Sequence, residues 1–153
     1  MTRVPPSPGS PWLVAGGLLS LAAAALHLAC IAGGEEWYRF FGAGEEIAMA
    51  AGRGKIWPHL VTLGIAGVLA VAAAYAFSGA GRVRRLPLLR SALIIISAIY
   101  LARGLVIVPA FAINGTRVMQ FILWSSLIVL VYGVVHTVGT ARAWSAMCLR
   151  RKS

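Results

Sequence analysis

Four predominantly apolar stretches, Trp12 to Ala32, Pro58 to Phe77, Leu88 to Ala110 and Val118 to Thr140, limit this chain more than any other feature. Each is about as long as the roughly 20 residues that a helix needs to cross the hydrocarbon of a bilayer. Inside lipid every backbone N–H and C=O must be satisfied within the protein, which leaves helices and closed barrels as the spanning structures. Continuous apolar runs, rather than strict alternation, favour the helix. Composition agrees: residues of the AVILMFWYC set make up 59% and charged residues 12%, against roughly 45–50% and 25% in soluble domains. The expectation is therefore all-α, an integral membrane four-helix bundle. Before it comes a Pro-rich leader over residues 1–11, "TRVPPSPGSP", and after it a basic tail over 141–153.

The formal net charge of +10 does not point to nucleic acid, because the basic residues gather at the ends of the apolar runs. Arg82, Arg84, Arg85 and Arg90 fill the link between the second and third runs. Arg142, Arg150, Arg151 and Lys152 follow the fourth, and Arg3 precedes the first. With four spans these segments share one side, and their excess of Lys and Arg predicts that side, and both termini, to be cytoplasmic. A cleaved signal peptide is the rival reading of the N-terminus, but the first apolar run is longer than the 7–15 residues usual for such a segment. Cys30 and Cys148 fall at opposite ends of this topology and make no disulfide framework.

All four acidic residues, Glu35, Glu36, Glu45 and Glu46, lie in the loop between the first two spans. "EEWYRFF" sets Glu35 and Arg39 four residues apart, a pairing distance on a helix. In "GAGEEIAMAAGRG" Glu45 and Glu46 open a short helix that should stop near Gly52. Trp37, Tyr38, Phe40 and Phe41 are expected at headgroup level, so the loop should be an interfacial segment. Small residues four apart, Gly16, Ser20 and Ala24 in the first span and Ala66, Ala70 and Ala74 in the second, predict close helix packing.

Polar groups inside the spans are candidates for function, because lipid makes each of them costly. Arg103 stands six residues before Pro109, with Ser97 and Tyr100 earlier on the same helix. His27 and Cys30 near the end of the first span, and His59 with Thr62 at the start of the second, are expected at similar depth. Glu45 or Glu46 is the expected counter-ion for Arg103, closing a pocket that includes Tyr100, His27 and His59. His136, with Tyr132 one turn earlier, is expected near the cytoplasmic end and away from this group. Two histidines at one depth can in principle hold a haem, and His27, Cys30 and His59 form a weak metal set. The chain has no CxxC, no aspartate for a Ser/His/Asp triad and no phosphate loop. The leading expectation is a binding or accessory protein that recognises an anionic lipid, a quinone-like molecule or a membrane partner subunit. The alternative is a small oxidoreductase or carrier of haem or quinone.

"WYRFFGAGEE", "YAFSGAGRVRRLPLLR" and "AIYLARGL" together resemble a group of small bacterial membrane proteins of four helices, over about Glu35 to Leu105. In size and helix count the chain is also similar to DoxX-type proteins. The resemblance implies the inner membrane and an association of the loop glutamates with Arg103; it implies no reaction.

Overall fold

The structure is a computed structural model and describes residues 10–109 and 120–149. The leader before residue 10, the turn expected around Asn114 to Arg117 and the tail beyond residue 149 lie outside the described residues.

The described residues form five helices and no strand: α1 (Pro11–Phe40), α2 (Glu45–Gly52), α3 (Trp57–Gly79), α4 (Leu89–Leu105) and α5 (Gln120–Leu149). Four segments, Pro11–Phe40, Trp57–Gly79, Leu89–Pro109 and Ile122–Ser145, are long and apolar enough to cross a membrane. Pro11 and Pro58 sit in the first turns of α1 and α3, where a missing N–H costs little. The expected stop of α2 at Gly52 and of α3 at Gly79 is observed, and Gly81 follows with φ +72.

The long helices pack as two close pairs, α1 with α3 and α4 with α5, joined by α1 against α5 and by α3 against α4. Their buried faces repay reading residue by residue. On α5 the buried positions Ser126, Gly133, His136, Gly139, Thr140 and Ala143 are small or polar, and only Met147, near the helix end, is a large apolar residue buried among the described positions. Leu123, Trp124, Leu127, Ile128, Val131 and Val134 are exposed on the same helix. A soluble bundle would be unstable this way round. In lipid the apolar exterior has no drive to hide, and helix association depends on close backbone contact and interhelical hydrogen bonds.

Gly16, Ser20 and Ala24 are buried, as expected. On α3 the expected ridge is only partly observed: Ala66 is buried, but Ala70 and Ala74 face outward, and the buried line runs through Thr62, Ala66, Ala73 and Ala76. At 3.6 residues per turn, steps of four advance by about 40° each, so a ridge kept at that spacing drifts off the contact face. Mixed steps of three and four stay on it.

At the end carrying the α3–α4 link, Leu13, Ala80, Leu89, Leu93, Ala143 and Met147 form an apolar core. Ser78 holds the link twice, donating from Oγ to the Arg84 carbonyl and accepting from the Leu86 N–H, each at 3.0 Å. Arg85 Nη2 donates to the Met147 carbonyl at 3.0 Å, a cation placed on the carbonyl end of α5 where the helix dipole favours it. Arg90 lies over the Trp144 ring and Arg142 over Trp12, 4.9 and 5.5 Å from the ring centres.

Candidate functional site

At the opposite end α1 does not stop at Ala32. It bends at Gly34, whose φ of +67 and ψ of −150 only glycine adopts readily, and a further helical segment runs to Phe40. The bend brings the Trp37 ring over Gly33, leaving no room for a Cβ there. It also turns Tyr38 inward, against the expectation that all four aromatics lie at headgroup level. Tyr38 is 2% exposed, whereas Phe40 is 80% exposed. Tyr38, Cys30 and Ala48 form a second small core, flanked by Phe41, Ile47 and Ala51. Through it the end of α1 and helix α2 close on each other as a clasp.

Ion pairs complete the clasp. Arg39 donates from Nε and Nη2 to the two carboxylate oxygens of Glu45 at 3.0 and 2.7 Å, and from Nη2 to Glu35 at 2.7 Å. The Glu35 carboxylate lies against Gly52, where no Cβ fits. Hydrogen bonds from Arg39, with its positive charge, hold the Glu45 carboxyl below its usual range. A depressed carboxyl stabilises the folded form above its unfolded pKa, about 4.3 for Glu, and that contribution is lost as pH falls through the lower folded value. Amide protection across α2, corrected for the intrinsic exchange rate at each pH, is therefore expected to hold down to about pH 4 and to fall below it. Glu45→Gln should remove that acid-side step, and a step surviving in this variant would assign it to another group.

The pairing expected between Arg103 and Glu45 or Glu46 is not formed. Both salt bridges among the described residues belong to Arg39, and α2 packs on α1 and α3 without touching α4. Glu35 and Glu45 are four and six residues from Arg39, so local chain geometry satisfies them before a distant helix can. Arg103 turns outward on the flank of α4 and donates from Nη1 to Ser126 Oγ at 3.3 Å. Steps of three retreat by about 60° each on a helix; Ser97 and Tyr100 stay on the buried face, and its next member is Gly104.

The other candidates separate as well. His27 Nδ1 donates to the Ala23 carbonyl of its own helix at 2.7 Å. His59 Nδ1 shares a hydrogen bond with Tyr38 Oη at 3.2 Å. Cys30 lies beneath Tyr38 and Ala48. Among the described residues no three His, Cys, Asp or Glu side chains group to hold a metal, so His27, Cys30 and His59 do not meet as a ligand set. Tyr100 instead joins the residue expected to be remote. Its hydroxyl and Ser20 Oγ share a hydrogen bond of 3.0 Å, and its ring meets His136 edge-on at 5.0 Å and Tyr132 at 5.8 Å. His136 is fully buried, its ring against Gly16, and Nδ1 donates to the Tyr132 carbonyl at 2.9 Å. The signal for this cluster was present in the sequence as polar residues at mixed spacings of three and four. Only the pairing of helices selects them from the other polar positions.

The fold and its polar interior define an all-helical protein of the multi-pass membrane type. Comparison with protein-family models, curated proteins and solved structures finds no match.

Proposed function

We propose that this chain is a bacterial inner-membrane protein with both ends in the cytoplasm, and that it serves as a binding or accessory protein for an anionic group. Arg103 is the receiving residue. The supporting observation is its setting: an exposed guanidinium within the Leu89–Pro109 span, bonded to the neutral Ser126 hydroxyl, with no carboxylate of the described residues in salt-bridge range. Arginine in a span requires an anion or water nearby, and its planar fork matches a phosphate or carboxylate with two parallel hydrogen bonds. A lipid phosphate or an acidic side chain of a partner subunit supplies that chemistry.

Native mass spectrometry of the protein released from bilayers of phosphatidylglycerol or phosphatidylcholine tests this reading. Wild type should keep an anionic lipid or a partner chain, and Arg103→Ala should lose it by roughly tenfold or more, the worth of one charge-assisted bond. Arg103→Lys should retain an intermediate share, because a point charge cannot form the fork. Equal retention by wild type and Arg103→Ala would remove Arg103 as the receptor. A retained haem or quinone mass would favour the redox alternative through His27 and His59.

A further inference from the structure

The cluster around His136 carries an inference independent of Arg103. His136 Nδ1 donates to a carbonyl, which can only accept, so Nε2 of the neutral ring carries the lone pair and is an acceptor. That Nε2 is buried with no hydrogen-bond partner among the described residues, and so are Ser97 Oγ and Thr140 Oγ1. The two hydroxyls are unusual in this molecule. Thr62 and Thr137 donate back to the carbonyl four residues earlier, at 2.9 and 2.7 Å, the ordinary way a helix satisfies such a group in lipid. Ser97 and Thr140 make no such bond, although that acceptor is available to any Ser or Thr within a helix.

Helix register places the three residues at a similar depth in the bundle. Gly104 lies against Leu130, and Gly133 against Leu101, so α4 and α5 run antiparallel with 104 beside 130 and 101 beside 133. One turn further, 97 falls beside 137, between His136 and Thr140, each within about one 5.4 Å turn of that level. On α1 the same level is occupied by Gly16, whose missing side chain lets the imidazole lie directly against the α1 backbone. One acceptor and two hydroxyls, all turned from solvent at one depth, constitute a site for a small molecule that both donates and accepts.

We infer that this is a buried hydration site: water held by His136 Nε2, Ser97 Oγ and Thr140 Oγ1 in the middle of the bundle, next to the Ser20–Tyr100 pair. Three polar partners meet the usual need of a buried water, which makes about three hydrogen bonds. Water donates to Nε2, which no carbonyl can do, and each hydroxyl can give or take as its rotor turns. The occupant is the smallest such molecule because the imidazole lies directly against Gly16 and meets the Tyr100 ring at 5.0 Å.

The test uses full-length protein with isotope-labelled histidine in lipid bilayers. The chain has only three histidines, so His27→Gln and His59→Gln assign the His136 ring without altering it. Its ring protons are expected to correlate with water, and correlations with protein protons alone would overturn the site. Thr140→Val gives a second reading by its sign. If the hydroxyl bonds water, its removal lowers the unfolding midpoint by about 2–4 °C. If the hydroxyl is dry and unbonded, valine relieves a desolvated group and the midpoint rises, which would also overturn it.

Discussion

Gly104→Ala and Gly133→Ala should each lower the thermal unfolding midpoint by roughly 2–12 °C, the effect of about 1–3 kcal/mol of overpacking in a chain of this length. A Cβ on Gly104 would lie 2.7 Å from Leu130 Cα and 2.8 Å from Leu130 N; one on Gly133 would lie 2.9 Å from Leu101 N. These are backbone atoms, and they yield only if the helices separate. Separation costs much here because the α4–α5 seam is made of backbone proximity. Gly64 and Gly67 are the controls: they are also helical, and nothing lies within 4 Å of a Cβ added at either. There the intrinsic advantage of alanine, about 0.8–1 kcal/mol, should leave the midpoint unchanged or higher. Unfolding followed by circular dichroism in one detergent checks all four, and four equal shifts would mean that the seam is not the seat of stability.

Opening the clasp should have a comparable effect, confined to one end. Tyr38→Ala removes the largest fully buried side chain among the described residues, and aromatic truncations in packed sites cost about 3–5 kcal/mol. The loss falls on the small core of Cys30, Tyr38 and Ala48, so the expected result is local opening rather than loss of the bundle. Cys30 is the reporter: its labelling by a maleimide should rise on the order of 100- to 1,000-fold, at 1.36 kcal/mol per decade. Mass analysis of the Cys30 peptide keeps Cys148 out of the reading. Tyr38→Phe should give a small rise, because it loses only the bond to His59 Nδ1, worth about 0.5–1.5 kcal/mol. If Tyr38→Ala labels no faster than wild type, then α2 does not cover Cys30 in the way described.

Much of the architecture was legible because lipid restricts the choices. Apolar length identified the four helices long and apolar enough to span a membrane, and glycine with Glu45 and Glu46 marked α2 to the residue. The i,i+4 spacing of Glu35 and Arg39 gave half of the clasp. The partner of Arg103 was not legible. Scarcity of acid suggested a glutamate, yet Glu45 is held by Arg39, which is nearer along the chain. Tyr38 could not be told from Trp37 and Phe40, since its inward turn depends on the bend at Gly34 and on α2 folding beneath it.

His136 shows most clearly where one-dimensional reading ends. From its position along the chain it was expected near the inner end of the last span, apart from Tyr100. In the bundle the antiparallel register of α4 and α5 makes the two side chains neighbours, and Gly16 of α1 gives the imidazole its space. By itself the sequence determined the number of spans, the basic and acidic ends and the short helix, because apolar length and local charge spacing act within a few turns. Tertiary structure alone decided which polar groups meet. In a membrane the apolar surfaces of helices do not choose partners, and small differences in backbone approach and hydrogen bonding set the register.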